Sequence, residues 1–239
     1  MTDLRKIFGM IVMLIYSRND TLITMNLKGM KNFLIDMDGV LLDIAYDNFF
    51  WQKHVPQIYA NEKGCDLDQA IRITHTLFHY KKGSRDWYDL DYWSNILGID
   101  IVKEKKSELS ISKIKIKDGV IDVLIELKNR GMKLFLVTNA HRKTLDLKLE
   151  KYPLHKYFDE AISAHDFNYI KEDIQFWYLL RNYLNIDYNE TILVEDTMTN
   201  IQSARHSKLR SLYVTHSEYS EDEWVKPIEC FSKFIPCLD

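Results

Sequence analysis

Phe33-Leu34-Ile35-Asp36-Met37-Asp38-Gly39-Val40-Leu41-Leu42-Asp43 is an apolar run that stops at two carboxylates one residue apart and resumes after a glycine. Lys31 to Ile35 has the content of a short strand buried on both faces, as in a parallel sheet. Asp36 and Asp38 then lie where that strand emerges at its carboxyl edge, the edge at which open α/β sheets bind ligands. Side chains alternate along a strand, so the two acids share one face and address one site together. Paired acids in an apolar setting are costly unless a cation or a proton relay uses them. The plainer alternative is an Asp-Gly turn closing a hairpin.

The rest of the chain decides between them. After Asp118 apolar strands alternate with amphipathic helices. Asp118 is expected to cap a helix running through Asn129, with Val120, Val123, Leu124 and Leu127 inward and Gly131 as its stop. Lys133 to Val137 is a buried strand ending at Thr138-Asn139. A helix around Lys143 to Glu150 and a short strand at Ala161 to Ser163 come next. Lys171 opens a helix through Asn185, Thr191 to Val194 is a strand ending at Glu195-Asp196, Ile201 to Lys208 is helical, and Arg210 to Val214 is a last strand. This alternation predicts an α/β fold with a Rossmann-like parallel sheet and right-handed crossovers.

The insertion between the first strand and this alternation has a different character. From Ile44 to about Leu97 the sequence is polar and aromatic with helical spacing. Phe49, Phe50, Lys53, His54 and Gln57 line one side of a first helix. Leu67, Ala70, Ile71, Thr74, Leu77 and Phe78 line a second, with Asp66 as N-cap, and a third begins at Trp87 to Trp93 and closes at Gly98. Val102 to Lys117 carries six lysines with Glu104 and Glu108 and reads as a solvated connector. It lacks the interleaved aromatics of a nucleic-acid patch. The division expected is an extension at 1–28, a core at 29–43 and 117–239, and an all-helical cap domain at 44–116.

Composition narrows the function classes. At 239 residues and 46% hydrophobic content the chain can bury a sizeable core, and a net charge of -3 gives no reason to expect nucleic acid as a partner. Cys65, Cys230 and Cys237 are few and lack metal-type spacing, which fits a reducing cytoplasm. Ile7 to Tyr16 is apolar after Arg5 and Lys6, but no cleavage site comes after it and the run is too short to span a bilayer. It reads as an extra helix or strand, as a membrane-surface or export element, or as sequence upstream of a true start at Met25 or Met30. No membrane association is expected, and oligomeric state leaves no signal.

The strand ends converge on one chemistry. Asp36 and Asp38, Thr138, and Glu195 with Asp196 fall along one sheet edge, and Lys171 opens a helix beside them. A hydroxyl, an ammonium and several carboxylates together suit a phosphoryl group and an oxygen-ligated Mg²⁺. Lys171 and Thr138 would hold phosphate oxygens, while the cation would offset repulsion between a carboxylate nucleophile and an anionic target. Lys171-Glu172-Asp173 as the charged first turn of a helix, and Thr138-Asn139 as an ordinary cap, are the plainer alternatives.

In their order along the chain these residues resemble the haloacid dehalogenase (HAD) superfamily: Asp36-Met37-Asp38-Gly39-Val40, Thr138-Asn139, Lys171, and Glu195-Asp196-Thr197-Met198-Thr199-Asn200. The insertion is similar to the C1 helical cap of that superfamily. Asp47 to Trp51, His54-Val55-Pro56, Tyr59-Ala60 and Trp87 to Trp93 resemble, more narrowly, the cap of bacterial purine 5′-nucleotidases acting on GMP and IMP. The resemblance implies that Asp36 attacks phosphorus to form an aspartyl-phosphate and that Asp38 is the general acid and base. It implies Mg²⁺ on Asp36, the Asp38 carbonyl and Asp196, with Glu195 assisting. Asn200, where the family commonly has an acid, would support these ligands, and Thr138, the Asn139 amide and Lys171 would bind phosphate. Asp38 also argues against the dehalogenase branch, which has no leaving alkoxide to protonate. Trp51, His54, Arg85, Trp87 and Tyr88 are candidates for substrate contact, although aromatics at helical spacing are also expected as cap packing and Arg85 as a surface charge. The activity implied is phosphomonoester hydrolysis, on a purine nucleotide first. A sugar phosphate or other small metabolite handled by a phosphatase or phosphomutase comes second, and a non-catalytic binding module third.

Overall fold

The computed structural model describes residues 12–16, 22–26, 29–217, 219, 220 and 222–236. Among the described residues, nine strands form two sheets. The larger contains β3 (Asn32–Ile35), β4 (Lys133–Thr138), β5 (Glu160–Ser163), β6 (Thr191–Glu195), β7 (Arg210–Val214) and β8 (Val225–Ile228), all parallel, in the order β5-β4-β3-β6-β7-β8. The smaller joins β1 (Val12–Tyr16) antiparallel to β2 (Leu22–Asn26) and to β9 (Phe234–Pro236). Residues 7–11 of the apolar N-terminal run, and Cys237, lie outside the described residues. What is described of that run is strand and not helix.

Alternation builds two cores from the same strands. Phe33, Ile35, Leu134, Leu136, Ile192 and Val194 face one layer with Val120, Leu124 and Leu127 from the helix Val120–Asn129. Leu34, Phe135, Val137 and Leu193 face the other, against Phe176, Trp177 and Leu180 of the helix Ile174–Leu184. Both faces are covered, which is why each strand reads as an unbroken apolar run.

The chain runs outward from β3 through β4 to β5, then returns to the other side of β3 for β6, β7 and β8. The strand order therefore reverses at β3. A crevice opens beyond the carboxyl end of a strand at such a switch point, and Asp36 is the residue just beyond β3. Because β3 pairs in parallel with both neighbours, the Asp-Gly pair does not close a hairpin between strands.

Between Asp43 and Lys117 the described chain is helical: Ala45–Phe49, a π-helical turn Phe50–His54, Val55–Lys63, Leu67–Lys81, Arg85–Tyr88, Leu90–Leu97, Ile101–Lys105 and Glu108–Ile111. Asp66 caps the fourth of these by accepting from the Gln69 amide (2.8 Å). A third core of Phe50, Val55, Phe78, Leu90, Trp93 and Leu97 holds the insert together. A bridge between Leu42 and Ile116 pins its two ends beside β3.

Four local expectations are corrected. The helix expected from Asp118 starts at Val120 behind Gly119, whose φ of +73° replaces a side-chain cap. The Trp87–Trp93 stretch is two helices broken at Asp89, whose carboxylate accepts from the Asp91 and Tyr92 amides to cap the second. Lys171 lies in a turn before the helix it was expected to open, which begins at Ile174. The lysine-rich stretch is no solvated connector: it contains two short helices, and Lys105 is buried. No helix among the described residues is long and apolar enough to cross a membrane.

Candidate active site

The loop after β3 is fastened on both sides. The Asp36 amide donates to the Val194 carbonyl (2.9 Å), the Gly39 amide to the Leu42 carbonyl (2.8 Å), and the Leu42 amide to the Met37 carbonyl (2.8 Å). Gly39 has a φ of +87°, and a Cβ placed there would meet Asp196 Oδ2 at 1.8 Å. Only glycine combines that backbone with that proximity, so the Asp-Gly signal marks where the loop passes the Asp196 carboxylate.

Asp36, Lys171 and Glu195 are almost wholly buried. The Lys171 ammonium spends its three donors on Asp36 Oδ1, Glu195 Oε2 (2.7 Å) and the Val137 carbonyl (3.2 Å). Its backbone is placed by Asn139, whose Oδ1 accepts from the Lys171 amide (2.8 Å), and by Trp177, whose indole donates to the Lys171 carbonyl (2.8 Å). Glu195 Oε1 accepts from the amides of Asp196 and Thr197, both at 3.1 Å. Thr138, the last residue of β4, is buried and accepts from the Ala140 amide (3.0 Å).

Oxygens of Asp36, Glu195 and Asp196 lie within 4.8 Å of one another. Three carboxylates thus meet one ammonium, and burial, with smaller contributions from one another's charge, raises their proton affinities. Burial pushes the Asp36 carboxyl up to about 8, with Glu195 and Asp38 adding to the rise and Lys171 opposing it. Burial and the Asp36 charge bring Asp196 to about 6. Burial alone would lower Lys171, but Asp36 and Glu195 outweigh it, so the ammonium stays charged. Beside this group the Oδ1 of Asn200 is buried without a hydrogen-bond partner among the described residues. Oxygen donors, uncompensated negative charge and an unmet carbonyl oxygen fit a hard divalent cation.

A second charged group surrounds Asp38. Lys148 donates to Asp38 Oδ1 (2.6 Å) and Asp47 Oδ2 (2.5 Å), and Lys105 donates to Asp47 Oδ1 (2.9 Å). Both lysines are nearly inaccessible. Burial would raise Asp47, but Lys105 and Lys148 more than reverse this and hold it below the ordinary carboxylate range. Asp38 remains raised, by burial, despite Lys148.

A cavity of about 610 Å³ separates the sheet edge from the helical insert, within the size range of small-molecule sites. Asp36, Asp38, Thr138, Asn139, Lys171, Glu195, Asp196 and Asn200 line its floor, and Trp51, Phe78, Trp87 and Tyr88 line the insert side. Tyr88 donates to Glu172 (2.9 Å), which also accepts from Asn139 (2.8 Å), so the insert is tied to the floor.

Two residues expected to face a substrate do not reach this wall. His54 pairs with Glu104 (3.1 Å) and packs on Phe49 and Phe50. Arg85 donates to Asn168 (2.9 Å) and is half exposed. Sequence reasoning quoted Asp47 and Glu172 without giving either a role at the site, and it missed Lys105 and Lys148. Lys148 had a detectable signal: it lies three and four residues from Leu145 and Thr144, in the phase of the helix that faces the core.

Comparison with known proteins shows the family. Residues 33–214 match the model of the haloacid dehalogenase-like hydrolases. The chain is 34% identical over 177 residues to the GMP/IMP nucleotidase YrfG of Escherichia coli, covering 74% of this chain and 79% of that one. It is 23% identical over 205 residues to the phosphorylated carbohydrates phosphatase of Thermotoga maritima, covering 79% and 87%. The fold is similar to that of a HAD phosphatase from Thermococcus onnurineus, with a TM-score of 0.74 at 21% identity over 84% of this chain and 94% of that one. A buried acid after the central strand, its lysine partner and the acids ending the neighbouring strand are thus found in a chain that belongs to the haloacid dehalogenase-like hydrolases.

Proposed function

We propose that this protein is a Mg²⁺-dependent phosphomonoesterase that hydrolyses purine nucleoside 5′-monophosphates through an aspartyl-phosphate. One observation carries the chemistry. A buried carboxylate, Asp36, and a second one two residues on, Asp38, line one cavity floor with the lysine and hydroxyl that a phosphate needs. Asp36 attacks phosphorus: an Oδ–P bond forms, the P–O5′ bond breaks, and Asp38 gives its proton to the departing oxygen. Asp38 then takes a proton from water, whose oxygen attacks the phosphorus and returns Asp36 to a carboxylate. Thr138, the Asn139 amide and Lys171 hold phosphate oxygens. Asp36, the Asp38 carbonyl and Asp196 would hold Mg²⁺, with Glu195 and Asn200 supporting them; when bound, the cation offsets the charge of the phosphoryl group.

Two things favour a purine nucleotide: similarity to the GMP/IMP nucleotidase, and a helical insert, acting as a cap, that presents Trp51, Phe78 and Trp87 to the cavity. Aromatic faces suit a flat base. A sugar phosphate is the second reading, favoured by the carbohydrate phosphatase relative. Phosphate release across IMP, GMP, AMP and hexose phosphates with Mg²⁺ separates the two. IMP and GMP are expected to exceed the sugar phosphates by about 10- to 200-fold in kcat/KM, the range one pocket supplies. Preference for a sugar phosphate would overturn the purine reading, and release from no ester would overturn phosphatase activity itself.

Gly39 supplies a further prediction. Gly39→Ala forces either the loop or Asp196 to move, because the new Cβ falls on the Asp196 carboxylate and φ is positive. Displacement of catalytic groups by about 1 Å costs on the order of 10²-fold in rate. That loss is expected in kcat, and an unchanged kcat would show that the contact does not hold the floor in place.

A further inference from the structure

Lys148 is the least accessible cation near Asp38, and the chemistry proposed above does not use it. It stands on the core helix Arg142–Lys151 with its side chain 1% exposed. Asp38, Asp47 and Lys105 line the cavity, whereas Lys148 is not part of its wall. The ammonium therefore grips the Asp38 and Asp47 carboxylates from behind, at 2.6 and 2.5 Å. Lys105 closes the chain at 2.9 Å from Asp47, beneath the rings of Tyr46, Phe50 and Trp51, and Tyr46 donates to the Lys105 carbonyl (3.2 Å).

The charge count separates this group from its neighbour. Among the described residues, Asp36, Glu195 and Asp196 face Lys171 alone and carry the excess that calls for a cation. Asp38 and Asp47 face two lysines and balance without one. The balanced group spans four pieces of chain: the loop after β3, a core helix and two helices of the insert. Among the described residues Asp38 is held through Oδ1 only, which leaves its other oxygen for work in the cavity.

We infer that Lys148 is a positioning residue, fixing Asp38 through Oδ1, in concert with Asp47 and Lys105, where it can pass its proton to the leaving oxygen. This rests on the acid role proposed for Asp38. Removing the Lys148 charge leaves two carboxylates adjacent and releases Asp38 from its anchor. The step that suffers is the one that needs a proton delivered.

Leaving-group dependence tests this. A nucleoside 5′-alkoxide needs a proton to depart, and p-nitrophenolate does not. The single-turnover rate of P–O cleavage is measured for IMP, or for the alkyl phosphate the wild-type protein turns over best. The p-nitrophenolate burst is measured alongside. Lys148→Met is expected to slow the alkyl ester about 10²-fold or more, the value of one positioned acid, while the burst rate stays within about threefold and KM is unchanged; Lys148→Arg is expected to recover part of the loss. Lys148→Gln gives the same comparison if the methionine variant does not fold. Equal losses on both esters, or no loss on either, would overturn the proposal and leave Lys148 a packing or a dispensable residue. Asp38→Asn is the reference. If it slows the alkyl ester selectively and the Lys148 variants do not, the positioning role fails alone. If it shows no selectivity, the acid assignment fails and the positioning role with it.

Discussion

Asp36→Asn is expected to lower phosphate release from IMP by about 10⁴-fold or more, the scale seen when a covalent nucleophile is removed, while the folded protein keeps or gains thermal stability. The two halves of this expectation come from the same geometry. Asparagine fills the same space but brings no anionic oxygen to phosphorus, so the Oδ–P bond cannot form and acid quenching should trap no phosphoenzyme. Stability is explained by the charge count, because three carboxylates meet one ammonium and burial holds the Asp36 carboxyl at about 8. A neutral side chain there resembles the protonated acid that the metal-free fold already favours. The substitution therefore leaves the local charge little changed below pH 8 and removes the cost of ionising this buried carboxyl above it, while the Lys171 ammonium keeps Glu195 at 2.7 Å. Phosphate release and melting are both measured on the purified variant. Turnover within a factor of ten of wild type would remove Asp36 as nucleophile. Loss of turnover together with collapse of the melting transition would show that the carboxylate is needed for folding.

The core of the site was readable in sequence because parallel strands advertise their ends. Phe33 to Ile35, Leu134 to Val137 and Ile192 to Val194 are unbroken apolar runs, and the first polar residue after each falls at the carboxyl edge. Asp36, Thr138 and Glu195 emerge from that rule without knowledge of strand order. Strand order itself was not readable, and it is what puts Asp36 at the switch point. β8 escaped because, among the described residues, it is an edge strand paired only with β7, and it is half-exposed at Lys226 and Pro227; proline is tolerated at an edge, and its polarity pattern resembles a loop. His54 falls on the side the spacing gives it, packed on Phe49 and Phe50, but that side meets Glu104 and not the cavity. Periodicity groups residues on one face without saying what that face meets. Lys105 was hidden by its neighbours. Among six lysines in sixteen residues, nothing in the pattern distinguishes the one that folds back onto Asp47.

Chelation of Mg²⁺ is expected to abolish turnover, and Mg²⁺ is expected to raise the melting temperature of the protein more at pH 8 than at pH 6. The sign is set by the acids at the carboxyl ends of β3 and β6. Without a cation, Asp36 sits at about 8 and Asp196 at about 6, both above their ordinary value of 3.8. A folded carboxyl with a raised pKa binds protons that the unfolded chain has released. Its contribution to stability is fully present below the unfolded pKa and is lost as pH rises through the folded one. The metal-free fold should therefore weaken between pH 6 and pH 8 as these two groups ionise against Glu195. The cation reverses the balance, because its ligands must be deprotonated. From pH 6 to pH 8 Asp36 passes from about one hundredth to about half ionised and Asp196 from about half to nearly all, so affinity for Mg²⁺ should rise by about 10²-fold. Melting curves at both pH values, with chelator and with Mg²⁺, read this directly. An equal shift at the two pH values would mean that the cation does not displace protons from Asp36 and Asp196. Turnover that survives chelation would mean that the excess charge beside Lys171 is balanced in another way.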